Sequence, residues 1–258
     1  MLALWLLAGV AHAAAEPPPD AAEPPRGDPA ARLLPFEKAS DVWDLTVRTD
    51  DGHWIVARAT ISNLGPGDGT GAVVGHVIDP DGVTHEFHKV RRPGAWTLSR
   101  DRRRLDLDAI LFDQSGTETR LYVGKKRVHM DLRLGLAGEP VWSEAVDPRD
   151  GGFDLLALAV PVAGTLELEG QAERSVTGRA FLTHRWMPVL EAEAVERRIE
   201  LFAFDAGVGV YFVERTAPSG ETARWLVAGR DGRVWHEREA VETRYSMRAE
   251  GGSLSLAS

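Results

Sequence analysis

The sequence lacks cysteine altogether and has fewer basic than acidic residues. Without cysteine the chain can form no disulfide, thiolate nucleophile, zinc–thiolate site or lipidated N-terminal cysteine. Thirty lysines and arginines against 39 aspartates and glutamates give a net charge of −9, which argues against nucleic acid as a partner. The basic run at residues 100–104 includes Asp101 and is followed by Asp106, which favours a solvated strand end over a phosphate-binding patch.

Nucleotide-binding and nucleophile motifs are also missing. The sequence contains no glycine-rich phosphate loop, no serine nucleophile elbow and no dinucleotide fingerprint. Residues 65–69 (Gly-Pro-Gly-Asp-Gly) are interpreted as a flexible connection, because no helical pattern follows to supply a phosphate-binding N-terminus. We therefore expect no cofactor.

Long hydrophobic runs are confined to the start of the chain. Residues 2–13 form an apolar run of secretory-signal length that is too short to span a bilayer, and Ala11-His12-Ala13 fits a small-x-small cleavage pattern. We predict a signal peptide over residues 1–15, a periplasmic or secreted protein, and no integral membrane span. Residues 16–35 are rich in proline, alanine and acid, and are predicted to form a disordered tether.

The rest of the sequence consists of short alternating runs separated by turn signals, which is typical of antiparallel β structure. Turns are predicted at 49–52, 79–82, 113–116, 218–220 and 230–232. Only residues 190–202 have helical spacing. A polar, breaker-rich stretch at 145–152 divides the chain into halves of 36–152 and 153–258. Each half has the size of a small eight-stranded barrel, so we predict an all-β protein formed as one barrel or a pair of barrels.

Residues 176–188 carry the most informative pattern, Val-Thr-Gly-Arg-Ala-Phe-Leu-Thr-His-Arg-Trp-Met-Pro. Residues two apart on a strand point to the same face. His184 and Trp186 therefore share a face with Ala180 and Leu182, whereas residues 181, 183 and 185 face the other way. An imidazole beside an indole on an apolar face indicates the wall of a hydrophobic pocket with one polar contact. The alternative is that both rings are ordinary core residues.

Three histidines flank the turn at 79–82. A two-residue turn would place His76 opposite His85, whereas Pro-Asp-Gly favours a type I turn with a glycine bulge, which places His76 opposite Glu86. His85 and His88 are three apart on a strand and face opposite sides. We therefore expect ordinary cross-strand pairs here and no metal site.

Tryptophan is unusually frequent. Seven tryptophans follow the predicted signal peptide, against three tyrosines in the whole chain. This is more than two small barrel cores usually need, so several are expected to line a cavity suited to an isoprenoid or acyl chain. The alternative is that all seven are core or surface-belt residues.

The order of these features resembles a known superfamily. The motifs are Trp43, Asp51-Gly52-His53-Trp54, the glycine-rich bend at 65–69, the turn at 79–82, Val128-His129-Met130-Asp131-Leu132, Gly164-Thr165-Leu166, and Gly178 leading to His184-Arg185-Trp186. In this order they are similar to the lipocalin-like superfamily of carotenoid hydratases (hydroxyneurosporene synthases), AttH-like bacterial proteins and fungal survival-factor-like proteins. The resemblance covers residues 36 to about 250. It implies two calycin-type barrels packed side by side, and the binding or conversion of long hydrophobic molecules.

One departure from that pattern bears on chemistry. The hydratase branch has an acidic residue before this histidine and a glycine after the tryptophan, where this chain has Thr183 and Met187. Without a carboxylate neighbour, the tautomer and basicity of His184 would be unset.

Three functional hypotheses follow. The first is an exported protein that binds a hydrophobic small molecule (a lipid, isoprenoid or polyene) in or between two barrels. The second is a hydratase- or cyclase-type enzyme acting on such a molecule, with His184 as the catalytic acid or base. The third is a structural module that acts through protein contacts. The predicted ligand-binding residues are Trp54, Trp186, Trp225, Arg179 and Arg185, with one of the two arginines meeting a polar end of the ligand.

Overall fold

The computed structural model describes residues 28–63, 69–135, 141–144, 151–189, 191–205, 208–230 and 233–239. This part of the chain contains sixteen β-strands and one four-residue helix. The elements are β1 (Ser40–Thr49), β2 (Trp54–Ser62), β3 (Thr70–Ile78), β4 (Thr84–Arg91), β5 (Thr97–Leu98), β6 (Arg104–Asp106), β7 (Ile110–Asp113), β8 (Glu118–Gly124), β9 (Val128–Gly135), β10 (Trp142–Glu144), β11 (Gly152–Leu168), β12 (Arg174–Met187), α1 (Glu191–Ala194), β13 (Arg197–Asp205), β14 (Val208–Thr216), β15 (Thr222–Arg230) and β16 (Arg233–Glu239).

The strands form two antiparallel sheets. The larger has the order β4-β3-β2-β1-β12-β11-β9-β8-β7-β6-β5, with β10 paired to β11, and the smaller has the order β13-β14-β15-β16. The larger sheet curls into a half-barrel, which brings Lys89 of β4 to 3.5 Å from Asp108, between β6 and β7. The all-β prediction is confirmed. The two side-by-side barrels are not confirmed, because the strands form one curled sheet and a four-stranded sheet.

The predicted turns lie where the strands reverse. Residues 49–52, 79–82, 113–116 and 218–220 connect strands that pair with each other. β15 pairs with β16, and residues 231–232 of the turn predicted at 230–232 lie outside the described part of the chain. Gly82 has a φ of +83°, as a glycine bulge after a type I turn requires. His76 therefore lies opposite Glu86, which confirms the register that Pro-Asp-Gly predicts.

β11 and β12 are central to both hydrophobic cores. Ala180 and Leu182 pack into the core inside the curled sheet, whereas Phe181 packs into a second core against the smaller sheet. β11 does the same with Leu156 and Phe153. β11 and β12 come after the predicted domain boundary near residue 152 in the sequence. They nevertheless pair with strands that come before it, since β12 pairs with β1 and β11 pairs with β9. That boundary stays a prediction.

Two segments of the structure differ from what their composition or spacing indicates. The end of the predicted tether, residues 28–35, packs on the larger sheet, where Ala31 is fully buried and its backbone N–H donates to the carbonyl of Arg102. Residues 1–27 lie outside the described part of the chain. The helical spacing over 190–202 yields only α1, because residues from Arg197 onward pair with β14 as a strand. Among the described residues, no helix has the length and apolar character that crossing a membrane requires.

Candidate functional site

The pairing of β1 with β12 builds the candidate site. Trp43 lies opposite His184, and Asp41 lies opposite Trp186, so all four side chains share the inner face of the curled sheet. Gly178 allows the two backbones to approach, since a Cβ there would lie 2.2 Å from the carbonyl oxygen of Arg48. The predicted sharing of one face by His184 and Trp186 is thereby observed.

His184 has a carboxylate partner that its own strand does not supply. Its Nε2 lies 3.1 Å from Oδ1 of Asp41, and both side chains are buried. Asp41 also accepts hydrogen bonds from the backbone N–H groups of Arg32 (2.9 Å) and Leu33 (2.8 Å). A carboxylate oxygen accepts, so Nε2 is the ring nitrogen that donates to Asp41. Asp41 on β1 is thus a carboxylate neighbour of His184 that residues next to it in the sequence do not provide.

Two indoles contact the imidazole. The ring of Trp43 stacks on His184 with a centroid separation of 4.6 Å and an interplanar angle of 7°, and Trp186 lies 5.1 Å away at 46°. The guanidinium of Arg32 lies 4.6 Å from the centroid of Trp186. Trp43 donates its Nε1–H to the carbonyl of Pro29. The packed segment 28–35 therefore helps to hold both tryptophans in place.

The second ring nitrogen of His184 has no hydrogen-bond partner within the described structure. Nδ1 is buried in a side chain with no exposed surface. Leaving a buried polar atom unpaired costs about 1–3 kcal/mol, and such atoms are rare in folded proteins. Asp154 on β11 lies opposite His184 in register and is also buried. The cluster thus combines an oriented imidazole, a ring nitrogen without a hydrogen-bond partner among the described residues, buried carboxylates and aromatic faces.

The two predicted ligand-binding arginines lie on the other face of β12. Arg185 is buried against Asp44 and Glu191, and Arg179 donates to the carbonyl of Ala159. Burial alone would raise the pKa of Asp44, but the adjacent arginines Arg185 and Arg58 outweigh it and hold the pKa below its ordinary value. The structure does not bring Arg179 or Arg185 together with His184.

The other two predicted tryptophans are also separate from His184. Trp54 is 36% exposed, with the guanidinium of Arg48 5.3 Å from its ring centroid. Trp225 lines a shallow pocket of about 180 Å³ on the smaller sheet, together with Arg215 and Val195. The guanidinium of Arg215 lies 5.2 Å from the Trp225 ring centroid. Burial lowers the pKa of Arg215 to about 10. Trp225 thus borders a pocket.

Sequence reasoning missed Asp41, Trp43 and Arg32 as members of the site. Asp41 and Trp43 are two residues apart, so strand alternation places them on one face. That signal identifies a face but gives no indication that β1 pairs with β12. Arg32 lies in a segment whose composition predicts disorder, so no signal pointed to it.

Comparisons with known proteins support the fold. No protein-family model and no curated protein sequence matches the chain. Solved structures do match: a protein assigned as an AttH from Nitrosomonas europaea has a TM-score of 0.57 at 15% identity, over 85% of this chain and 75% of that one. CghA in complex with Sch210972 matches with a TM-score of 0.55 at 15% identity, over 77% and 59%. Kievitone hydratase from Nectria haematococca matches with a TM-score of 0.52 at 9% identity, over 83% and 67%.

These likenesses confirm the predicted resemblance at the level of the fold. The chain has the lipocalin-like architecture shared by the AttH and hydratase structures. At such low identities, activity and ligand do not transfer with the fold.

Proposed function

We propose that this chain binds a hydrophobic small molecule, of the lipid, isoprenoid or polyene class, next to His184. The observation that carries the proposal is the buried Nδ1 of His184, which has no hydrogen-bond partner among the described residues, on a ring that both Trp43 and Trp186 contact. A hydroxyl or other donor on an otherwise apolar ligand would satisfy that nitrogen, while the indoles offer flat apolar surfaces. The site would lie within the curled sheet, or between two barrels if the chain forms them.

The fold supports this proposal in a general way. Its structural neighbours include a hydratase and a protein solved in complex with a small molecule. A curled antiparallel sheet with one apolar face is a common scaffold for enclosing small ligands. Export through the predicted signal peptide over residues 1–15 is part of the same proposal, as is the absence of a cofactor.

Mass spectrometry of an organic extract from freshly purified protein tests the binding proposal. We expect a co-purified hydrophobic molecule that is lost from Trp186→Phe and retained in Trp54→Phe, which changes an exposed tryptophan. Circular dichroism would confirm that both variants keep the β-sheet signal. Equal retention by both variants, or an extract that matches an unrelated protein purified in parallel, would contradict a site at Trp186.

The second candidate function is catalysis on such a molecule. The contact between Asp41 and Nε2 of His184 favours it, since a carboxylate-oriented imidazole is suited to acid–base work. In a hydratase, His184 would transfer a proton to or from an alkene carbon or the attacking water, and aromatic faces would stabilise a developing cation.

Turnover separates the two candidates. The protein would be incubated with polyenes and prenyl compounds, and products with one added water or a new ring would be sought. Catalysis requires that His184→Ala abolishes turnover, that Asp41→Asn reduces it, and that the exposed-residue variant His88→Ala leaves it unchanged. Binding of the same compounds without turnover would exclude catalysis on them and leave the binding function.

A further inference from the structure

The outer face of the larger sheet carries a cluster of metal-ligating side chains far along the sheet from His184. His129 lies on β9, where Val128 and Met130 point into the core and His129 therefore points outward. Glu167 on β11 is its direct cross-strand partner. Glu173 directly precedes β12, whose first residue, Arg174, lies opposite Leu166 of β11. β9, β11 and the residue that precedes β12 thus bring one imidazole and two carboxylates together.

The separations within the cluster are too long for hydrogen bonds and suit a shared ion. Nδ1 of His129 lies 3.9 Å from a carboxylate oxygen of Glu167 and 3.9 Å from one of Glu173, and one ligand atom from each residue lies within 4.8 Å of the other two. A point equidistant from three such atoms is about 2.5 Å from each, so shifts of a few tenths of an ångström give zinc–ligand distances of about 2.0–2.2 Å.

The His129 nitrogen that faces the carboxylates is unsatisfied. Nδ1 is shielded from solvent and has no hydrogen-bond partner within the described structure. The ring of Tyr122 lies edge-on to the imidazole at 5.7 Å and 89°, which restricts the orientation of His129. This nitrogen and the two carboxylates that it faces are therefore already placed as the three protein ligands of a metal ion.

The charges around the cluster also favour a cation. Glu167 and Glu173 converge on one point, and like charges at neighbouring positions of a sheet repel. The nearby cations Lys126 and Arg127 pair instead with Glu169, at 3.3 and 3.8 Å. Lys126 and Arg127 therefore do not neutralise Glu167 and Glu173. A divalent ion between these two carboxylates would relieve their mutual repulsion.

We propose that His129, Glu167 and Glu173 bind a divalent transition-metal ion, with Zn²⁺ as the best match. One imidazole and two carboxylates form a nitrogen–oxygen ligand set that Zn²⁺ accepts, whereas Ca²⁺ and Mg²⁺ favour oxygen ligands alone. Water would complete a tetrahedral site, because the ligand side chains are partly exposed. The ion would tie β9 and β11 to the start of β12.

Calorimetric titration with ZnCl₂ tests this site on the full chain, purified without a histidine tag and stripped of metal. We expect one ion per chain with a low-micromolar Kd, and a thermal midpoint that rises with added Zn²⁺. His129→Ala should weaken Zn²⁺ binding at least about tenfold, and Glu173→Gln should also weaken it. Excess Mg²⁺ or Ca²⁺ should not displace Zn²⁺.

The matched control is His88→Ala, which removes an exposed histidine from β4 and should leave Zn²⁺ binding unchanged. Thermal melts in chelator would show that each variant folds as the parent does. Absence of Zn²⁺ uptake by the parent protein, unaltered uptake by His129→Ala, or equal losses in His129→Ala and His88→Ala would each overturn the proposal.

Discussion

Removing the Asp41 carboxylate should destabilise the protein more than most single substitutions do. Asp41 is 2% exposed and accepts three hydrogen bonds, from Nε2 of His184 and from the backbone N–H groups of Arg32 and Leu33. Hydrogen bonds to a charged group contribute about 1.5–3 kcal/mol each. Water can enter the space that Asp41→Ala leaves and replace part of this, so we expect a loss of about 3–5 kcal/mol in the free energy of unfolding.

Urea unfolding followed by tryptophan fluorescence measures this loss, and Trp43 and Trp186 report directly on the site. Asp41→Asn keeps the shape of the side chain and one acceptor oxygen, so it should lose about half as much. Asp81→Ala, in the exposed turn after β3, is the matched control and should change stability by less than about 0.5 kcal/mol. If the stability loss of Asp41→Ala is as small as that of the control, Asp41 does not anchor residues 28–35 and His184 to the sheet.

Two further predictions concern the pairing of β1 with β12. Gly178→Ala should lower the free energy of unfolding by about 2–3 kcal/mol, because its Cβ would lie 2.2 Å from the backbone of β1. Gly135→Ala is the control, since a Cβ there has no atom within 4 Å, and it should change stability little. Equal urea midpoints for the two variants would contradict the close approach at Gly178. The depressed pKa of Asp44, held down by Arg185 and Arg58 against the effect of burial, means that its contribution is complete above about pH 4 and is lost as the pH falls through the lower folded value. Asp44→Asn should therefore show a shallower fall in urea midpoint on acidification than the parent, and an unchanged slope would refute the assignment.

The secondary structure was largely predictable because its signals are local. Turn residues such as Asp79-Pro80-Asp81-Gly82 mark where strands reverse, and the glycine with positive φ sets the register of the hairpin that follows. The face shared by His184 and Trp186 follows from strand alternation alone. The resemblance to hydratase and AttH-like proteins rests on the same local motifs and extends to the fold.

Local signals failed where long-range packing decides. Residues 28–35 have the composition of a disordered tether, yet they pack on the sheet because Asp41 accepts their backbone N–H groups and the indole of Trp43 donates to the carbonyl of Pro29. Residues 197–202 have weak helical spacing but form a strand, since β14 offers them a hydrogen-bonding edge. In both places tertiary partners outweigh intrinsic preference.

The all-β class, most of the chain reversals and the face on which each strand side chain lies were predictable from the amino-acid sequence. Long-range packing determines that Asp41 contacts His184, 143 residues away, and that Arg179 and Arg185 lie on the opposite face of β12. It also brings His129 to 3.9 Å from Glu167 and from Glu173. The physical reason is that alternation along a strand depends on backbone geometry within a few residues. The choice of neighbouring strand depends on how the whole chain buries its apolar faces.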